Sequence, residues 1–157
     1  MVKKIIFPEA NKESLSHVGK DFFDRDIFLE KSTHLAWLEL HKAATKEGIS
    51  LHIVSGFRSY EYQQKIIDRK LANGQTLEQI MKVNALPGES EHHTGRAIDL
   101  TTDDEKEVLT ELFEDTLAFK WLSKNAHRFG FKMSFPRDNE YGYIYEPWHW
   151  CYQNEEK

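Results

Sequence analysis

SEHHTGRAID, residues 90–99, puts two histidines, a glycine and an aspartate into ten positions of a 157-residue chain. Upstream lies the polar loop NALPGES (84–90); downstream, RAIDLTT (96–102) alternates apolar and polar residues as a strand with one buried face does. His92 and Asp99 are both good zinc ligands, and a loop running into a strand lets their side chains converge across a turn. Gly95 permits a tight turn or a close backbone approach, and small Ala97 leaves room beside the strand. The bland reading is a polar loop with Asp99 as a strand-end cap. A third ligand elsewhere decides between the two.

That ligand is found in EPWHW (146–150). His149 completes a His, Asp, His set, and Glu146 stands just upstream as a candidate proton acceptor. A structural zinc site takes four protein ligands, often cysteines, whereas a catalytic one takes three and leaves a position for water. The single cysteine, Cys151, excludes the Cys-rich structural type and any internal disulfide. Cys151 shares strand parity with His149 and reads as a buried thiol. His93, beside His92 on what is expected to be extended chain, points the opposite way and reads as a supporting residue. His34, His41, His52 and His127 have no matching carboxylate pattern and read as surface or packing residues.

The surrounding segments mix helices and strands without a βαβ rhythm. STHLAWLELHKAATKEG (32–48) reads as a helix capped by Ser32 or Thr33, with Leu35, Leu38 and Ala43 on its inner face and Gly48 at its stop. SLHIVSG (50–56) reads as a strand. Ser59 caps a helix through about Leu71, and Thr76 with Gln79 forms a capping box for a short helix to about Val83. A long helical region is expected from Asp104 to Phe129, broken near Asp115-Thr116 and ended by Gly130. FKMSF (131–135) and YIYEPWHWCY (143–152) read as strands around a turn, and residues 1–30 as irregular chain over the body. The expected class is α+β, a mainly antiparallel sheet with flanking helices in one domain spanning 1–157.

Net charge is -5, from 21 basic and 26 acidic residues, which gives no electrostatic reason to expect nucleic acid or an anionic membrane as partner. No stretch approaches the ~20 apolar residues of a membrane span. Ile5-Ile6-Phe7 stops at Pro8, too short for a signal-peptide core, so the chain as written is expected to be a cytoplasmic monomer. A trimmed leader or assisted release would carry it to the cell envelope.

SEHHTGRAID with EPWH resembles the S-x-H-x-x-G-x-A-x-D and E-x-W-H pattern of zinc D-alanyl-D-alanine carboxypeptidases of the VanY type, which share a fold with D-Ala-D-Ala dipeptidases, some phage endolysins and the hedgehog domain. SGFRSYEYQ (55–63) and WLSKNAHRFGFKMSFP (121–136) extend the likeness over residues 50–152. The resemblance implies zinc on His92, Asp99 and His149, with Glu146 as base. It also implies that Arg58 faces substrate, where a guanidinium makes paired bonds to a carboxylate. Ser90 matches a serine near the substrate, and Gln63 or Gln64 is a candidate for orienting it. Tyr141, Tyr143, Trp148 and Trp150 are candidates for the cleft wall. His93 stands where the family often has glutamine, and Cys151 where it often has arginine; both departures bear on substrate preference. The implied reaction is removal of the last D-Ala from peptidoglycan peptides or precursors ending in D-Ala-D-Ala. L,D-carboxypeptidase action, endolysin-type cleavage and a non-catalytic binding module are the alternatives.

Overall fold

The computed structural model describes residues 5–103, 106 and 108–153. In chain order its elements are β1 (Leu15–Lys20), β2 (Asp26–Glu30), α1 (Lys31–Lys46), β3 (His52–Ser55), α2 (Tyr60–Ala72), α3 (Leu77–Val83), β4 (Ala97–Thr101), α4 (Leu117–Asn125), β5 (Phe131–Met133) and β6 (His149–Tyr152). The expected α+β class holds: β3, β4, β6 and β5 lie in that order in one antiparallel sheet, and β1 pairs with β2 in a separate hairpin. Every residue of β4 is buried. Its apolar face, with Ile98 and Leu100, joins Ile53 of β3, Trp150 of β6 and Trp37, Leu40 and Ala44 of α1 in the core. Each such large side chain contributes roughly 1.5–3 kcal/mol through burial.

The caps expected at Ser59 and Thr76 are both present. The Ser59 hydroxyl accepts the Tyr62 N–H at 3.0 Å, and Thr76 and Gln79 form the reciprocal box at 3.1 and 2.8 Å.

Several expectations are corrected. Residues 15–30 are not irregular, for they form the hairpin, while residues before it do lie across the body, Phe7 N–H donating to Gly88 and Ala10 N–H to His93. Because β2 runs directly into α1, the cap is Glu30, whose carboxylate accepts the Thr33 N–H at 3.1 Å, rather than Ser32 or Thr33. The same junction turns α1 so that Thr33, Trp37, Leu40 and Ala44 face inward, leaving Leu35 and Leu38 exposed. Thr33 is tolerated inside because its hydroxyl donates to Glu30 at 3.0 Å.

The long helix expected over 104–129 is shorter. Residues 104, 105 and 107 lie outside the described residues, Glu111–Asp115 is a 3-10 turn, and α4 starts after Thr116, which caps it. The strand expected over 143–152 keeps only its last four residues, because Pro147 has no N–H for a ladder and residues 146–149 turn, His149 N–H donating to the Glu146 carbonyl at 3.2 Å. Among the described residues no helix is long and apolar enough to cross a membrane.

Candidate active site

Asp99 of β4 and His149 of β6 are direct cross-strand partners, and Ser55 of β3 pairs with Asp99 on the other side. Directly opposed residues leave a sheet on the same face, so Ser55, Asp99 and His149 form a row across three strands. Ile98 and Trp150, one position away, go to the opposite face and into the core. The turn at Pro147 sets Glu146 over this row, its carboxylate 3.9 Å from His149 Nδ1.

His92 comes from a 3-10 turn, Glu91–Thr94, not from extended chain. Ser90 starts it, accepting the His92 N–H at 3.1 Å, and Gly95 ends it at φ 76°. The hairpin crowds that glycine: a Cβ there would lie 2.9 Å from the Glu30 nitrogen, whose N–H donates to the Gly95 carbonyl at 2.9 Å. Both physical roles expected of Gly95 are present.

His92 Nε2 lies 3.2 Å from one Asp99 oxygen and His149 Nδ1 lies 3.0 Å from the other. The far nitrogen of each ring is held from behind. His92 Nδ1 donates to the Gly56 carbonyl at 2.8 Å, and His149 Nε2 donates to Glu91 at 2.8 Å. Outer hydrogen bonds of this kind fix tautomer and orientation in metal-binding histidines. One donor atom from each of the three buried residues lies within 4.8 Å of the other two. Donors around tetrahedral zinc are about 3.3 Å apart, so two imidazoles and a carboxylate at this spacing fit a three-ligand catalytic zinc site.

The electrostatics follow from burial. Burial disfavours the Asp99 carboxylate, but charge and hydrogen bonds from His92 and His149 outweigh it, and its pKa falls well below the usual range. Burial lowers His92. It would lower His149 too, but hydrogen bonds to Asp99 and Glu91 prevail and raise that group to about 10. Burial pushes Glu146 up to about 7, with His149 opposing and Asp99 reinforcing the rise. A carboxyl poised near neutrality suits proton transfer at neutral pH.

Arg58 bridges the row and the loop. Its guanidinium donates to Ser55 at 3.0 Å, Gln63 at 3.3 Å and Asp99 at 3.4 Å. A cleft of about 270 Å³ brings together Arg58, Gln63, Ser90, His92, Asp99, Glu146 and His149. Gln63 is buried and ties Arg58 to the Ala85 carbonyl, to which it donates at 2.8 Å. Gln64 is outside the cleft, donating to Asp68. Of the four candidate wall aromatics, Tyr143 and Trp148 line the cleft, Trp150 is in the core, and Tyr141 lines a neighbouring hollow.

His93 is no part of the donor set. Its Nδ1 donates to the Arg58 carbonyl at 2.9 Å and its Nε2 accepts the Gly88 N–H at 3.0 Å, which pins the Arg58 loop. Cys151 is a buried thiol, its pKa raised by burial and by Glu91.

Sequence reasoning missed Glu91 and Ser134. Glu91 joins His149 to the Ser134 hydroxyl, which donates to it at 2.6 Å. An acid beside a histidine in a polar stretch carries no periodic signal, and Ser134 is distant in the chain.

The VanY family pattern, described as D-alanyl-D-alanine carboxypeptidase, matches residues 26–155. YodJ of Bacillus subtilis (strain 168) is 38% identical over 128 residues, 80% of this chain and 46% of that protein. A D-alanyl-D-alanine carboxypeptidase of Enterococcus faecalis (strain ATCC 700802 / V583) is 33% identical, covering 73% of this chain and 44% of its own length. The chain therefore spans about half the length of these relatives. Among solved structures, the LdcB LD-carboxypeptidase matches with TM-score 0.81 and 33% identity over 94% of this chain and 71% of that one. VanYB in complex with D-alanine-D-alanine matches with TM-score 0.72 and 26% identity, over 98% and 86%. With the family pattern running from β2 through the donor row and Glu146, this chain belongs to the VanY family of D-alanyl-D-alanine carboxypeptidases.

Proposed function

We propose that this chain is a zinc carboxypeptidase that removes the terminal D-Ala from peptidoglycan peptides or precursors ending in D-Ala-D-Ala. The observation that carries the reading is the meeting, in one cleft, of three metal donors, a buried carboxyl and an arginine. Zinc held by His92, Asp99 and His149 would supply a Lewis acid and a water acidic enough to ionise near neutrality. Glu146 takes the proton of the attacking water and returns it to the departing amine. Arg58 holds the substrate's carboxylate or carbonyl oxygen through charge-assisted bonds, and Gln63 keeps the guanidinium in place. Ser90 orders the His92 turn, and its hydroxyl hydrogen is available to substrate.

A second reading, an L,D-carboxypeptidase acting on tetrapeptide ends, is supported by the likeness to the LdcB structure. Mass spectrometry of products separates the two. Zinc-loaded protein is given a muramyl pentapeptide, the matched tetrapeptide and intact sacculi, each with a chelated control. Chelator-sensitive loss of one alanine from the pentapeptide alone is the expected result. Cleavage of the tetrapeptide or sacculi alone moves the substrate. No cleavage despite bound zinc overturns the peptidase reading.

A further inference from the structure

The Arg58 end of the cleft carries a second cation, the ammonium of Lys70. We propose that Lys70 reads, together with Arg58, the free carboxylate at the carboxyl end of the substrate, and so makes the enzyme select chain ends over internal bonds. The proposal rests on the peptidase reading above and deepens it.

Gln63, Ile67 and Lys70 follow one another at helical spacing along one face of α2, and the first two are buried. Side chains on a helix lean toward its amino terminus, so the long stem of Lys70 runs back along α2 toward Arg58 and Gln63. It lines the same cleft as both. No carboxylate of the described residues pairs with it; its charged neighbours are Arg58 and Arg69, which together with burial lower its pKa. Arg58 is already paired with Asp99, whereas Lys70 has no carboxylate partner among the described residues, so the lysine is the cation left for an anion that enters the cleft.

Arg58 alone is only partly available for that anion. Its donors are already shared with Ser55, Gln63 and Asp99, leaving part of the guanidinium fork for a ligand. A chain end offers these two cations a carboxylate, and a peptide that continues beyond the scissile bond does not. The ordinary role of a lysine in the last turn of a helix is to complement the helix dipole. Arg69 provides that as well, and the role requires no place in the cleft.

The test is binding calorimetry on zinc-loaded Glu146→Gln protein with an acetylated peptide ending in D-Ala-D-Ala, as the free acid and as the carboxamide. The acid binds more tightly than the amide, and adding Lys70→Met reduces that preference about fivefold, the size of a half-exposed ion pair. Lys70→Arg restores most of it, and added salt shrinks it. An acid-over-amide preference unchanged by Lys70→Met overturns the proposal, as does equal binding of the two peptides, or binding of neither, before Lys70 is changed. Protein with Glu146 intact that fails to cleave the acid, while the Glu146→Gln form still prefers it through Lys70, would remove the peptidase reading and uphold the carboxylate-reading role.

Discussion

The two imidazoles of the donor set come from different parts of the molecule and are held differently. His92 stands on a turn and is backed by a backbone carbonyl, that of Gly56; His149 stands in a strand and is backed by a carboxylate, that of Glu91. Both are buried and both touch Asp99, yet at His92 burial prevails and lowers the pKa, while hydrogen bonds to Asp99 and Glu91 raise that of His149 to about 10. Burial prevails at the first ring and the paired carboxylates at the second, so the two differ before a metal arrives. Metal binding must displace the proton held at His149.

The largest effect expected around this pair does not involve either ring. Glu146→Gln keeps bound zinc and lowers turnover by about 10²–10⁴-fold, the range for a general base. His149→Ala loses the zinc instead. Metal content by mass spectrometry, read beside product formation, separates the two, and an active Glu146→Gln protein would sink the mechanism. Next in size is a change on the His92 side that leaves the ring untouched. Gly95→Ala adds a Cβ at positive φ against the Glu30 nitrogen and is expected to destabilise the fold by about 2–3 kcal/mol in denaturant unfolding. A loss below roughly half a kcal/mol would mean the hairpin yields, and that the turn is not locked by it.

On the His149 side, Glu91→Gln keeps an acceptor but removes the charge. Zinc affinity, measured by competition with a chromophoric chelator, is expected to weaken by about 10–100-fold, as when an outer partner of a metal ligand is lost. The rise of affinity with pH should flatten as well, because the proton on His149 is held less tightly. An unchanged pH profile would show that Asp99 alone governs it.

The contrast also explains what could be read from the sequence. The meeting of His92, Asp99, Glu146 and His149 in one cleft was legible because few side chains are able to bind metal or move protons, and their spacing fits a turn entering a strand and a second strand beside it. Caps at Ser59 and Thr76 were legible because all the atoms involved lie within one turn of chain. Glu91 was not, since its function depends on Ser134 and His149, residues that only the folded sheet brings near. Nor was the hairpin, whose loop Asp21–Arg25 is built on Asp21 accepting the Phe23 and Arg25 N–H groups rather than on a glycine turn. Missing it hid the inward turn of α1, because that turn is set where β2 joins the helix at Glu30.

The smallest expected effect follows from the charges that the metal-free cluster stores. His149 is raised above its unfolded value, so its contribution to stability is complete below about pH 6.5 and is lost as pH climbs through about 10. Glu146 is also raised, to about 7. The folded state therefore binds more protons than the unfolded chain between roughly pH 4.5 and 7, and stability falls across that window as the buried carboxyl ionises. Asp99 works the other way: its pKa is depressed, so its contribution is present above about pH 3.8 and lost in acid. Above about pH 6.5, where the lowered His92 no longer opposes the trend, metal-free protein should lose stability steadily toward alkaline pH. Glu146→Gln removes the first part of that loss and should be more stable than the parent above pH 7, by about 1–2 kcal/mol in urea midpoints, with little difference near pH 4.5. Equal slopes for the two proteins from pH 4.5 to 8 would mean that Glu146 is ionised throughout. The proton held in this cluster would then reside on His149 alone, and the loss of stability toward alkaline pH would follow that one ring.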